Sequence, residues 1–191
     1  MSNLAPKTSL RERVAAAILE AAAAVLAARE QASMGEVADA AGVARATLYR
    51  YYPTREALVA ALTEFGLEEA GGRLDGAGLD RVPVGEGFTR AVRALVGVGD
   101  YFVVLTRERG GPARADFERQ VAGPLRKLVE RGQADGELRE DVDASWLLES
   151  LLALVVTVLP SAPTIGPEDT VDAIASLFLD GARGPMQTRG T

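Results

Sequence analysis

The stretch SMGEVADAAGVARATLYRYYPTREAL, running from Ser33 to Leu58, decides the fold. Ser33 and Glu36 stand at the S-x-x-E spacing of a capping box, in which the serine hydroxyl accepts from the Glu36 amide and the glutamate reaches back to the Ser33 amide. That pairing predicts a short helix from Met34 to Ala41. Gly42 follows, the residue best able to take the left-handed conformation that closes a helix and turns the chain. After Val43 and Ala44, the segment Arg45 to Tyr52 offers a second short helix, stopped by Pro53 because the residue before a proline is driven out of the α region. Thr54 then caps a further helix whose apolar positions, Leu58, Ala61, Leu62 and Phe65, fit the helical period. Two short helices joined by a tight glycine turn form a helix-turn-helix candidate.

Working outward, Leu10, Val14, Ile18, Ala21 and Val25 recur at spacings of three and four and predict an amphipathic helix from Ser9 to Ala28. On the other side, the helix opened by Thr54 is expected to end near Gly71-Gly72, and Gly71 to Gly87, with six glycines and Pro83, reads as a linker. Phe88, Val92, Leu95, Phe102 and Leu105 mark one long helix with Gly97 and Gly99 inside it, each costing about 1 kcal/mol relative to alanine. Pro112 is placed to begin the next helix, marked by Phe117 and Val121. Gly123-Pro124 must kink or restart it before Leu125, Leu128 and Val129 carry it to the turn at Asp135-Gly136. Asp143 caps a helix from Ala144 to Leu159 that is apolar almost all round. A loop, Pro160 to Pro167, leads to a last helix carrying Val171, Ile174, Leu177 and Phe178 and closing at Gly181. Nothing alternates with period two, so the expected fold class is all-α: an N-terminal three-helix helix-turn-helix head followed by a C-terminal helical bundle, about nine helices in all. The expected organisation is a head over 1–62, a body over 63–184 and a disordered tail over 185–191.

Composition narrows the chemistry. With no Cys and no His among 191 residues, thiolate and imidazole chemistry, disulfides and zinc sites are all excluded, and no catalytic residue, metal or cofactor is expected. The longest apolar run, Trp146 to Leu159, is interrupted by Glu149 and is too short for a membrane span, and the N-terminus lacks an apolar signal segment; a cytoplasmic protein with no membrane partner is expected. The net charge of -6 would repel nucleic acid, but it is unevenly distributed: residues 1–62 sum to +1 and residues 63–191 to -7. Ala40 to Arg55 holds three arginines and no acid, a basic strip on an acidic protein.

Ser33 to Leu58 resembles the DNA-binding signature of the TetR family, through the A-G-V turn at Ala41 to Val43, the T-L-Y-x-Y of Thr47 to Tyr51, and the cap-basic-Glu-x-Leu of Thr54 to Leu58. The resemblance covers residues 10–62 well and the remainder loosely, chiefly at Arg131 to Arg139 and the two apolar helices beyond. It implies a transcriptional regulator whose Arg45 and Ala46 read bases, the first at guanine O6 and N7 and the second at a thymine methyl. It further implies that Thr47, Tyr49, Tyr51 and Arg55 bind phosphates, together with Ser33 at its helix N-terminus, while Arg50 serves either role. Two positions depart from the family pattern: Arg55 replaces the customary Lys, and Ala44 stands where a Ser commonly caps the recognition helix. Val37, Ala38, Val43, Leu48, Tyr52 and Leu58 are the expected core of the head.

The resemblance also implies a two-fold dimer and an effector cavity in the body. For the dimer interface the candidates are Leu151, Leu154, Val155, Val158, Val171, Ile174, Leu177 and Phe178, with simple core packing as the alternative reading. For the ligand pocket they are Phe88, Val92, Leu95, Val96, Gly99, Phe102, Phe117, Val121, Trp146 and Leu147, with Tyr101, Asp100 and Glu149 as polar contacts. The expected partners are double-stranded DNA carrying a near-palindromic operator, a small and largely apolar effector that releases repression, and a second copy of the chain. The rivals are a helical-bundle interaction protein and a regulator with no effector response. An enzyme built on a carboxylate pair is disfavoured, because the acids are scattered and no phosphate-binding loop is present.

Overall fold

In the computed structural model, which describes residues 9–159 and 166–183, the chain is helical and no strand occurs among the described residues. Helix α1 (Leu10–Ala28) opens on a second capping box, Ser9 with Glu12, of the same S-x-x-E form as Ser33 with Glu36. Then come α2 (Met34–Ala40), α3 (Arg45–Tyr51) and α4 (Arg55–Gly76), the last capped by the Thr54 hydroxyl, which accepts from the Ala57 amide at 3.1 Å. After a 3-10 turn at Leu79–Arg81 come α5 (Val84–Val96), α6 (Asp100–Glu108), α7 (Arg114–Phe117), α8 (Gly123–Ala134), α9 (Ala144–Val158) and α10 (Pro167–Ala182). Helices α7 and α8 are joined by a π-helical segment, Glu118–Ala122; with that run counted as one rod, the described residues form nine helices.

Two apolar clusters organise the molecule. In the head, Ile18, Ala22 and Leu26 of α1 meet Val37, Ala38 and Leu48 of the helix-turn-helix and Leu58 and Leu62 of α4. In the body, α5, α6, α8, α9 and α10 surround Phe88, Phe102, Leu125, Leu151 and Ile174, and the Phe88 and Phe178 rings lie 4.9 Å apart between α5 and α10. Helix α4 passes from one to the other, giving Leu62 to the head and Leu67 to the body. Helix α6 is shared as well: its Val104 is buried in the head cluster while Phe102 and Leu105 face the body.

Two expectations require correction. Helix α4 does not stop at Gly71-Gly72 but continues to Gly76, so 22 residues span about 33 Å. A Cβ on Gly71 would fall 2.7 Å from Gln120 Oε1 and 3.2 Å from Gln120 Cβ, so the glycine is there for close packing against the π-helical segment and not as a stop. Most of the supposed linker is accordingly helical. The long helix expected through Gly97 and Gly99 is two helices: Gly99 sits at φ 65° and ψ -141°, open only to glycine, and breaks the chain before α6. At Gly123-Pro124 the expected interruption takes the form of a π-helical segment, Glu118–Ala122, after which α8 begins. Pro124 lies in the first turn of α8, where a missing amide costs no intrahelical hydrogen bond. Most of the expected loop Pro160 to Pro167 and all of the tail 185–191 lie outside the described residues.

Candidate nucleic-acid interface

The helix-turn-helix is built from local signals that all operate. Ser33 Oγ accepts from the Glu36 amide, and Glu36 Oε2 accepts from the Ser33 amide at 2.7 Å. Hydrogen bonds from the Ser33 amide and hydroxyl, with the Arg29 guanidinium 2.7 Å from Oε1, hold the Glu36 carboxyl down to about 2. Gly42 takes φ 65°, and the Val43 amide returns to the Ala38 carbonyl at 3.0 Å, which fixes the turn between α2 and α3. Leu48, with no exposed surface, pins α3 against Val37 and Ala38. Ala44 gives α3 no side-chain cap, so this helix is held by packing rather than by its N-terminus.

With Leu48 inward, the opposite face of α3 is fixed by the helical repeat. Arg45, Ala46, Tyr49 and Arg50 are exposed, and Thr47 and Tyr51 are half-buried beside them. The Arg45 side chain lies across the first turn of α2: a Cβ on Gly35 would come 2.7 Å from its Nη2. Tyr51 is flanked by two cations, Arg50 at 5.6 Å and Arg11 at 6.0 Å from the ring centroid. Arg11, in the first turn of α1, thereby joins the basic strip, although nothing in the sequence singles it out. The Ser9–Glu12 box could have located the start of α1, but only the tertiary fold brings Arg11 to Tyr51. A groove of about 720 Å³ between the two helices is lined by Leu10, Arg11, Val14, Thr47, Arg50 and Tyr51, among others.

Two residues expected to bind phosphate have other partners. The Arg55 guanidinium donates to the carbonyls of Ala32 and Glu30, tying the start of α4 to the turn between α1 and α2. Ser33 is exposed, but its hydroxyl and amide are engaged within the capping box. A further connection, again not foreseen, comes from Arg107 of α6. Its Nη1 and Nη2 donate to the carbonyls of Leu26 and Ala27 at 2.6 and 3.0 Å, supplying the cation that the last turn of α1 lacks. The Phe65 and Tyr101 rings, 4.6 Å apart, add a second tie between α4 and α6.

The structure distributes the expected pocket residues differently. Phe88, Val92, Leu95, Phe102 and Val121 have no exposed surface and, with Phe117 and Leu147, are packed into the body core. Val96 is half-buried, Gly99 makes the break before α6, and Trp146 is 71% exposed, so it lines no interior pocket with Leu147. Of the polar candidates, burial raises the pKa of Asp100 and of Tyr101, whereas Glu149 is ion-paired with Arg109 at 2.7 Å. Among the expected interface residues, Leu151, Val155, Val171, Ile174 and Phe178 belong to the chain's own core. Leu154 and Val158 are half-buried, and Leu177 is 66% exposed.

Residues 18–62, from α1 to the first two turns of α4, match the family model for bacterial regulatory proteins of the tetR family. The chain is 35% identical over 99 residues to the HTH-type transcriptional repressor LfrR of Mycolicibacterium smegmatis, an alignment covering 52% of each; the chain thus spans about half the length of that relative. It is 24% identical over 182 residues to the HTH-type transcriptional regulator NfxB of Pseudomonas aeruginosa, covering 90% of this chain and 95% of that one. A solved structure of the TetR-like regulator LfrR from Mycobacterium smegmatis in complex with proflavine superposes with a TM-score of 0.70 at 27% identity, covering 93% of this chain and all of the other. A capped, glycine-turned helix-turn-helix on a helical body, the family model matched over residues 18–62 and these relatives converge: the head has the helix-turn-helix of the tetR family of bacterial regulatory proteins, and the chain as a whole is similar to TetR-like regulators.

Proposed function

We propose that the protein is a transcriptional repressor that binds a near-palindromic operator as a homodimer and is released by a small effector. The observation that carries this reading is the exposed face of α3, where Arg45, Ala46, Tyr49 and Arg50 stand clear of a helix anchored by a fully buried Leu48. A major groove admits one helix, and this face carries two guanidiniums, a phenol and a methyl toward it. Arg45 and Ala46 read base edges, Thr47, Tyr49 and Tyr51 bind phosphates, and Arg50 with Arg11 serves the backbone around Tyr51. Arg55 acts by holding α4 in place, and Ser33 by holding α2. The working division is a head over 1–62 and a body from residue 63 onward, with α4 continuous between them.

Dimerisation draws support from the side of α9 and α10 that the chain's own core leaves uncovered. Trp146 of α9 and Leu177 of α10 are 71% and 66% exposed and Leu154 and Val158 are half-buried, apolar side chains that a second copy would cover. An effector response draws support from Arg107 and Val104, which join the body's α6 to the head. It draws further support from the related LfrR structure, which was solved with proflavine. Footprinting on the DNA upstream of the protein's own gene tests the reading. A protected near-palindrome whose occupancy falls steeply with salt is the expected result; no protected sequence at low salt refutes it.

A further inference from the structure

Gly35 lies in the first turn of α2 and outside the left-handed region, so its backbone does not require a glycine. Alanine is the better helix former, and glycine weakens the helix that carries it. What glycine supplies here is room. A Cβ at Gly35 would lie 2.7 Å from Arg45 Nη2, 2.9 Å from its Cζ and 3.1 Å from its Nε. Three guanidinium atoms at nearly equal distance place the plane of the group across Gly35, and any side chain at this position has to displace it. Gly35 is half-buried and Arg45, in the first turn of α3, is exposed, as a residue covered by one side of a surface guanidinium should be.

This berth restrains Arg45 without tying it to an acid. Arg45 takes part in no ion pair among the described residues, whereas Arg29 is paired with Glu36 and Arg55 donates to the carbonyls of Ala32 and Glu30. Glu36, the acid next to Gly35, is held by Ser33 and Arg29 and so does not capture the Arg45 charge. The guanidinium therefore stands on the exposed face of the helix-turn-helix with its torsions limited by α2 and its N–H groups available for a bidentate pair with guanine O6 and N7. A long side chain ordinarily loses rotamer freedom when it binds, and one that is already restrained loses less. We infer that Gly35 is a specificity-determining position: without touching DNA, it holds Arg45 in the pose that reads a base. The specificity role deepens the regulator reading and rests on it; the contact between Gly35 and Arg45 does not.

The test selects duplexes from a randomised library with the full-length wild type, Gly35→Ala, Arg45→Ala and the double variant, and then measures each on the wild type's selected duplex. Gly35→Ala should melt at or above the wild-type Tm, because alanine favours the helix, yet bind that duplex about three- to tenfold more weakly. Its relaxed preference should fall at the same base position that Arg45→Ala relaxes, and the double variant should bind no more weakly than Arg45→Ala alone. In the DNA-free protein, nitrogen relaxation at Arg45 Nε should show a restrained side chain in the wild type and a mobile one in Gly35→Ala. The inference is overturned if Gly35→Ala keeps the full wild-type preference, weakens all sequences equally, or adds its loss to that of Arg45→Ala. An Arg45 side chain as mobile in the wild type as in Gly35→Ala overturns it too. A wild type that selects no sequence sinks the regulator reading and the specificity role with it, while the relaxation measurement decides the contact.

Discussion

Arg107 is the most economical place to disturb the connection between body and head. Its guanidinium donates to the last free carbonyls of α1, Leu26 at 2.6 Å and Ala27 at 3.0 Å, and no other basic residue occupies that turn. Buried hydrogen bonds to a charged group contribute about 1.5–3 kcal/mol each, and a cation at a helix C-terminus about 0.3–1 kcal/mol. Arg107 is exposed, so water takes over much of the bonding when it is removed, and Arg107→Ala is expected to cost about 1 kcal/mol. In a protein of this size that lowers Tm by about 2–4 °C. Amide hydrogen exchange localises the effect: the end of α1, from Val25 to Arg29, should lose protection while the amides of α9 and α10 keep theirs. Arg107→Lys, which keeps the charge but not the forked donor pair, should fall between. The tie between α6 and α1 is refuted if Arg107→Ala leaves exchange at the end of α1 unchanged, or if α9 and α10 lose as much protection as α1.

Leu48→Ala removes a fully buried side chain from the head and is expected to cost about 2–5 kcal/mol, read as loss of operator binding and early melting of the head by near-native proteolysis; retention of both would refute its role as the anchor of α3. In Gly35→Ala the new Cβ meets the far end of the Arg45 side chain at 2.7 Å, so the fold should survive while, if Arg45 reads a base as proposed, base preference shifts at that position, measured by binding to single-base operator variants. Glu36 has its folded pKa depressed to about 2, so its contribution to stability is fully present above the unfolded value near 4.5 and is lost as pH falls from there toward 2; acid titrations followed by circular dichroism should show a shallower loss over that window in Glu36→Gln. Leu177→Arg, at a 66% exposed position, should yield a folded monomer by sedimentation, whereas an unchanged dimer would move the interface elsewhere.

The parts of the fold that were legible in the sequence are those set by neighbours in the chain. Ser33 with Glu36, Gly42, Pro53 and Thr54 act within a few residues of themselves, and the helix boundaries they predict agree with the structure to within a residue. Gly71 and Gly99 mislead for opposite reasons. Gly71 has the form of a helix stop until Gln120 is seen to need the space, whereas Gly99 passes as a tolerated helix glycine until its positive φ is known. The site divides the same way. The exposed face of α3 follows from which of its side chains is apolar, but Arg11 reaches Tyr51, Arg55 turns back to Ala32, and Arg107 crosses to α1 only through tertiary contacts. The body was the least legible, because an apolar side chain at helical spacing reads alike whether it faces core, cavity or partner. Phe88 proved to be core, and Trp146 proved to be surface.

That α3 reads DNA sequence is the central claim, and equilibrium binding to two duplexes tests it most directly. Fluorescence anisotropy on the footprinted operator and on a shuffled duplex of equal length, at several salt concentrations, should give operator binding at least about 10³-fold tighter than shuffled. Both affinities should fall steeply with salt, and Arg45→Ala should narrow the gap mainly by weakening the operator. Equal affinity of the wild-type protein for the two duplexes, or an Arg45→Ala variant that keeps the full gap, would contradict the account.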